Sequence, residues 1–509
     1  MSKLAENKIS LQGTVNESPE GYVVSFSNPL NKENITNFPQ IKINGKEIPA
    51  NKLLLQIGSQ PLTPEDIHYD APLEFCKGDE VSLKILDKKI LAKNGSIEIQ
   101  LKGESNGDVI FSINTIDYQK NGKGHKIPYG RDNYDFEIVG RRLDFVEDYC
   151  NTKLHHIRTY DFDPGQTKGN IENFSGVAQV PLGFAGPLTV KGENADGEFV
   201  IPLATTEGTL VSSYHRGMQI LNLAGGAMTT FVEESMQRAP VFIFNNAREG
   251  KAFVKWLNEN FHEIKAEAES TTAHGKLLNL EPYQSNSYVF VRFNFSTSDA
   301  AGQNMVGKAT LAACNAIVQK VDTVQNFYLE ANMATDKKNS GINILRTRGK
   351  RITAEAVIPR SIVRRSLRAT PESLVDHYRV SSLGSFMANV SNNGCHSANG
   401  ITAMFIATGQ DVANVTESSA AIVNSSLTDD GDWYISLTIP SLIVASRGGG
   451  TSLPTQRECL EVLGCYGEGK SHKLAEVVTA VALAGEISLG GAIASGEWVS
   501  SHEKLGRNK

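Results

Sequence analysis

Val241-Phe242-Ile243-Phe244 is a short apolar run closed by Asn245-Asn246, and it reads as a strand. Ala247 to Glu269 then turns to helical spacing, with Phe253, Trp256, Leu257, Phe261 and Ile264 on one face. Leu277 to Tyr283 and Ser287 to Phe295 read as two further strands. Gly302 to Val321, rich in Ala and Val, reads as a second helix, and Phe327 to Glu330 as a closing strand. The order βαββαβ is that of the ferredoxin-like split unit.

Working outward, the sequence before this unit (to Gln237) and after it (from Asn332) is alike in composition. Residues 239–330 are therefore expected as a small domain inserted into a larger one made of 169–238 and 331–509. In the larger one, strands such as Ile352 to Val357 and Trp433 to Leu437 alternate with small-residue helices such as Gly400 to Ala407 and His472 to Ser495. Residues 131–168 read as a connecting helical segment, with Phe136, Ile138, Leu143, Phe145, Val146 and Tyr149 near helical spacing. Residues 1–130 read as strands: Gly21 to Phe26, Glu80 to Leu86, Ser96 to Leu101 and Val109 to Ile113 are punctuated by Gly, Asn and Asp. The expected fold is α+β and multidomain: a large mixed α/β domain, an inserted ferredoxin-like unit, and an N-terminal all-β sandwich or small barrel.

At 509 residues the chain is too long for one core. A net charge of -6 with both signs mixed gives no basic face for nucleic acid. The six cysteines are scattered without a CxxC pair, which suits reduced thiols in a cytoplasmic protein and no zinc site. Met1 to Leu11 has no apolar core of signal-peptide length. The longest apolar tract, Leu474 to Ala494, contains Glu476, Glu486 and several glycines, so a buried helix is expected there and not a membrane span.

The chemistry centres on Thr335-Asp336-Lys337-Lys338-Asn339. A lysine pair is most often a solvated surface feature. Among Ala, Gly, Ile and Leu, however, the ammonium groups need carboxylate partners. Asp336, Glu207 (in Thr205-Thr206-Glu207-Gly208) and Asp411 (in Gly409-Gln410-Asp411) are the candidates. An ammonium held among carboxylates can polarise a carbonyl while a neighbouring acid delivers a proton. Asp299-Ala300-Ala301-Gly302-Gln303-Asn304-Met305 follows a strand and opens a helix, a place suited to a phosphate or, more plainly, to an N-cap. No G-x-G-x-x-G is present, so a Rossmann domain is not indicated. His396 lies in a polar patch leading into a helix, and His502 lies just past the last apolar helix, where it could enter a site late as an acid. Gly448-Gly449-Gly450-Thr451 could line a ligand or form a turn.

These motifs, with Glu172-Asn173-Phe174-Ser175-Gly176 and Pro181 to Leu188, occur in the order found in 3-hydroxy-3-methylglutaryl-CoA reductase, and the chain from about 135 onward resembles that family. The resemblance implies four-electron reduction of an acyl-CoA thioester with NADPH, or NADH, as hydride donor. It makes 169–238 with 331–509 the acyl-CoA-binding catalytic domain and 239–330 the NAD(P)-binding one. Lys337 is then the ammonium at the developing oxyanion, Glu207 the proton donor, Asp411 the group between them, and His502 the acid for the departing CoA thiolate. Arg238, Asp336, Lys338, His396 and Asn399 are implied as substrate-binding, and residues 299 to 305 as cofactor-binding. The C-terminal histidine resembles the class typical of eukaryotes and archaea. The family builds its site across a dimer, so a homodimer or homotetramer is expected.

Several positions depart from the family pattern. Glu330-Ala331-Asn332 stands where Ser-Gly-Asn is usual, and a glutamate there repels a substrate carboxylate unless a cation neutralises it. Asn339-Ser340-Gly341 replaces Pro-Ala-Ala, Ser296-Thr297-Ser298 lacks the usual basic residue, and the segment before His396 lacks the usual glycine pair. Two other readings stay open: reduction of a different acyl-CoA on the same fold, and a non-catalytic homologue whose β-domain mediates binding.

Overall fold

The structure is a computed structural model. It describes residues 126–496 without a break and, ahead of them, 7–11, 14–18, 21–27, 33–43, 45–57, 60–63, 66–67, 72–76, 79–86, 96–103 and 107–114. The chain forms two compact units, Met1–Pro128 and Tyr129–Lys509.

In the first unit, Asn7–Leu11, Gly107–Asn114, Ser96–Gly103, Glu33–Ile43 and Lys46–Glu47 form one sheet, with Leu73–Phe75 also on Glu33–Ile43. Thr14–Ser18, Gly21–Ser27, Glu80–Ile85, Leu53–Ile57 and Gln60–Leu62 form the other. Alternating side chains from both sheets, among them Val24, Leu83, Ile41, Ile99 and Phe111, meet in one buried core. Of the two expected architectures, this is the sandwich.

In the second unit the strand Ala227–Arg238 belongs to two sub-structures at once. Its first part pairs with Leu182–Gly192 and Gly349–Ile358, and its end pairs with Tyr288–Ser296. Arg238 lies opposite Phe293 and Val241 opposite Phe290, so the pairing resumes in register past Pro240. The strands Asn326–Tyr328, Val241–Ile243, Tyr288–Ser296 and Lys276–Ser285 follow one another in the antiparallel order 4-1-3-2 of the ferredoxin-like unit. The expected single helix Ala247 to Glu269 is two, Ala247–Glu259 and Phe261–Glu269. The break sits at Asn260, where the Trp256 carbonyl accepts from both the Asn260 amide (3.0 Å) and its carboxamide (2.8 Å), closing the first helix.

The larger part is organised on Ser471–Ala494, a helix with nearly every side chain buried. By length and composition it could cross a membrane, yet it lies inside the protein core. Helices Leu210–Leu223 and Ser397–Thr408 pack on it, and they reach it closely because of glycines. A methyl group at Gly217 would run into the Ala484 carbonyl, and one at Gly485 or Gly400 would run into Tyr214. Gly217→Ala is therefore expected to lower stability by about 1–3 kcal/mol, read as an earlier urea-unfolding midpoint at unchanged slope.

Candidate functional site

The lysine loop is conformationally unusual. Asn332, Thr335 and Lys337 have φ of 64°, 54° and 56°, three left-handed non-glycine residues within six positions. Such conformations persist only where the surroundings over-determine them. Thr335 donates to Asn343 Oδ1 at 2.7 Å. The Lys337 amide donates to Glu417 Oε1 at 3.1 Å, and the Lys337 ammonium lies 3.0 Å from Asp411 Oδ2. Both members of that ion pair are half-exposed. Lys338 is exposed and donates to Asn332 Oδ1 at 3.1 Å.

Behind the loop, Asp336 is the hub. It accepts from Arg348 at 2.5 Å, from Arg238 at 3.3 Å and from the Gln303 carboxamide at 2.9 Å. Burial opposes its charge, but Arg348 and Arg238 outweigh that and hold its pKa below the ordinary range. Gln303 also donates to Asn414 Oδ1 at 3.0 Å, which ties the start of helix Gln303–Lys320 to the turn after Asp411. Arg238 reaches Glu330 at 3.3 Å as well, so the unusual glutamate has its neutralising cation.

Glu207 lies elsewhere. It accepts from the Asn399 carboxamide at 2.7 Å, and the two line a cavity of ≈510 Å³ with Val180, Thr205, Thr402 and Ile406. Asn399 is set by the start of helix Ser397–Thr408. There the buried Glu486 accepts from the amides of His396 (2.6 Å) and Ser397 (3.1 Å), and Tyr214 bridges the His396 carbonyl and the Gly400 amide. Burial raises the Glu486 pKa against the pull of those amides. The His396 ring stacks on Tyr214 with centroids 4.8 Å apart. Asp411 lies just past the far end of the same helix, whose 12 residues span about 18 Å. Among the described residues no hydrogen bond or ion pair joins Glu207 to Lys337 or Asp411. The structure thus brings Lys337 and Asp411 together, and Glu207 and Asn399 together, as two groups. The expected position of Asp411 between Lys337 and Glu207 is not seen within one chain. His502 lies outside the described residues.

Helix Gln303–Lys320 starts at Gly302 (φ 82°) with no side-chain cap, leaving its first amides available. Asp299 does not cap it. Its carboxylate turns to the amides of Gly469 (2.7 Å), Lys470 (3.1 Å) and Ser471 (3.2 Å) and closes the start of the long helix instead. Burial opposes the Asp299 charge, yet the hydrogen bonds from Gly469, Ser471, Ser446 and Lys470 hold its pKa below the usual range. A negative side chain is thereby kept away from the Ala300-Ala301-Gly302 backbone, so these residues suit an anionic group. Beneath the loop, Glu234 joins the fully buried Lys350 (3.5 Å) and His472 (2.8 Å).

Sequence reasoning missed Arg348, Glu417, Tyr214 and Glu486. Glu486 was visible as a charge inside an apolar tract. Arg348, in Arg346-Thr347-Arg348-Gly349-Lys350, was visible as a basic run opening a strand. Glu417 and Tyr214 carry no local signal.

The hydroxymethylglutaryl-coenzyme A reductase family pattern matches residues 138–507. The chain is 43% identical over 370 residues to the 3-hydroxy-3-methylglutaryl-coenzyme A reductase of Pyrococcus horikoshii, covering 71% of this chain and 90% of that protein. It is 43% identical over 373 residues to that of Methanocaldococcus jannaschii (72% and 92%). It is 34% identical over 428 residues to 3-hydroxy-3-methylglutaryl-coenzyme A reductase 1 of Dictyostelium discoideum (81% and 75%). Among solved structures, the class II enzyme of Streptococcus pneumoniae bound to NADPH in open conformations shares the fold. Its TM-score is 0.53 at 19% identity, covering 65% of this chain and 89% of that one.

Asp299→Asn is expected to cost roughly 1–3 kcal/mol of stability near neutral pH by weakening three amide hydrogen bonds. Because the folded protein holds Asp299 below its ordinary pKa, that stabilisation is complete above the ordinary aspartate range and is lost as pH falls through the folded value. In unfolding curves at decreasing pH, the gap between wild type and D299N should close only in acid.

Proposed function

This chain belongs to the hydroxymethylglutaryl-coenzyme A reductase family, and we propose that it reduces 3-hydroxy-3-methylglutaryl-CoA to mevalonate and free CoA with two NADPH and two protons. NADH is the alternative donor. The observation that carries the reading is the half-exposed Lys337–Asp411 pair on a strained, over-determined loop.

The nicotinamide, when bound, supplies hydride to the thioester carbonyl carbon. The chain supplies the rest. Lys337 presents an ammonium to the oxygen on which negative charge develops. Asp411 holds that ammonium in place. Glu207, oriented by Asn399, delivers the proton to oxygen. His502 protonates the CoA thiolate as it leaves. Arg238, Asp336, Lys338, His396 and Asn399 form the substrate-binding set. Residues 299 to 305, at an uncapped helix start cleared of the Asp299 charge, suit the cofactor's phosphates.

The working form is a homodimer or homotetramer in the cytoplasm, with each site shared between copies. Two observations support the shared site. Glu207 and Lys337 lie toward opposite ends of helix Ser397–Thr408, beyond reach of one reacting carbonyl. Val380, Leu383, Phe386 and Met387 are exposed in one apolar cluster at the end of helix Pro371–Met387, the kind of surface an interface covers. A second reading, reduction of another acyl-CoA, is favoured by one contact: Arg238 already carries Glu330, so a substrate carboxylate must compete for it.

Steady-state NADPH oxidation with 3-hydroxy-3-methylglutaryl-CoA and with a panel of other acyl-CoAs decides between the two readings. The first expects the former to be turned over best. Lys337→Ala should lower kcat by about 10²–10³-fold. Mixing inactive Glu207→Gln and Lys337→Ala chains should restore turnover, because each mixed dimer has one intact site. No recovery in mixed dimers of proven composition would place the whole site in one chain.

A further inference from the structure

Lys337 is gripped at two points, and both grips come from one short stretch of chain. Asp411 takes its ammonium at 3.0 Å, and Glu417 takes its backbone amide at 3.1 Å. The turn Val412–Asn414 follows Asp411, and Glu417 sits in the short helix Val415–Ser418 that comes next. Asn414, in the same stretch, accepts from Gln303 at the start of helix Gln303–Lys320 of the ferredoxin-like unit.

Glu417 is a strange residue for this place. It is fully buried, in a short helix otherwise made of Val, Thr and Ser. Among the described residues its only ion-pair partner is Arg348, 3.5 Å from Oε1, and its Oε2 has no hydrogen-bond partner. A buried carboxylate this poorly paired costs stability and calls for a compensating role. The role is visible in the loop it touches. Lys337 has φ 56°, a conformation that a side-chain-bearing residue leaves when nothing holds it.

We propose that Glu417 is a positioning residue for the reaction: by holding the Lys337 amide it keeps the loop left-handed and so fixes the ammonium on Asp411, at the point where oxyanion charge develops. This rests on the proposed role of Lys337. Glu417 touches no reacting atom and acts through the lysine backbone.

The charged groups facing Glu417 are few. Arg348, Asp336 and Lys337 surround it. The elements packed against it, Trp433–Leu442 and Ser397–Thr408, carry no charged side chain. Burial, assisted by Asp336, pushes the Glu417 carboxyl up to about 6 against the opposing pull of Arg348 and the Lys337 amide. The grip therefore weakens on the acid side of neutrality, since a protonated carboxyl is the poorer acceptor.

The test compares Glu417→Ala and Glu417→Gln with wild type by two readouts. The first is hydrogen exchange of the Lys337 amide in the substrate-free protein, which is independent of whether the chain turns over any acyl-CoA. The second is kcat and KM across pH 5 to 8. E417A should speed Lys337 exchange by about tenfold or more and lower kcat by about tenfold or more with KM within about twofold. E417Q keeps an acceptor oxygen, so it should retain most of the protection while losing the inflection near pH 6. If E417A does not fold, E417Q decides by its pH profile. Unchanged Lys337 exchange or an unchanged kcat in E417A, or an E417Q profile that keeps the inflection near pH 6, overturns the assignment. An inactive wild type with Glu417-dependent exchange would refute the activity but not the clamp.

Discussion

Asp336 lies between two guanidinium groups, and the geometry of the lysine loop follows from that arrangement. Arg348 is fully buried and Arg238 partly so. Two unit charges at 4 Å interact with about 4 kcal/mol at an effective dielectric near 20, so an anion between the two guanidinium groups offsets their mutual repulsion. Asp336 supplies it. The carboxylate comes from the lysine loop, Arg348 from the entry to strand Gly349–Ile358, and Arg238 from the strand that leads into the ferredoxin-like unit. Neutralising one charge cluster therefore locks three segments together. Lys337, the next residue, is left half-exposed with its ammonium directed to Asp411.

The division of labour between buried and exposed charge is consistent along the chain. Glu486 and Tyr214 fix one end of helix Ser397–Thr408, and Gly409, whose Cβ would strike the Gly450 carbonyl, fixes the other. Asn399, which holds Glu207, and Asp411, which holds Lys337, stand at those two ends. Asp299 serves in the same way, spending its charge on the amides of the 469–471 turn, where the long helix has no cap of its own. Polar groups that stay hidden set the backbone, and the half-exposed Lys337 and Asp411 emerge from it.

Much of this was legible in the sequence where periodicity or an out-of-place charge announced it. The βαββαβ order could be read because each element carries its own hydrophobic period, and the lysine pair could be read because it sits among small apolar residues. The break at Asn260 could not, since a single asparagine fits a helix interior or a helix end equally well until its carboxamide chooses the Trp256 carbonyl. Glu417 and Arg348 depend on an approach between positions about seventy residues apart, which no local pattern encodes. Asp299 was legible as a cap, but the helix it closes lies some 170 residues further on. The missing element is the same in each case: the identity of the partner is decided by tertiary packing after local structure is set.

The charge count around Arg238 bears on which cation a substrate carboxylate would meet. Arg238 and Arg348 face Asp336 and Glu330, and Arg348 faces Glu417 as well, so that cluster carries no spare positive charge as it stands. A further carboxylate placed on Arg238 would leave the cluster with an excess negative charge in a partly buried site, where the penalty exceeds that on an open surface. Lys338 is differently situated. Its ammonium contacts only the Asn332 carboxamide oxygen and the Asp336 carbonyl, so among the described residues it has no carboxylate partner. A serine at position 330 would free Arg238 for an incoming anion. With glutamate there, the uncommitted positive charge of this corner shifts from Arg238 to Lys338, which reaches solvent from the same loop as Lys337. On the proposed roles of Lys337 and Lys338, acyl recognition and oxyanion stabilisation would draw on adjacent lysines whose backbone is set by a single buried network.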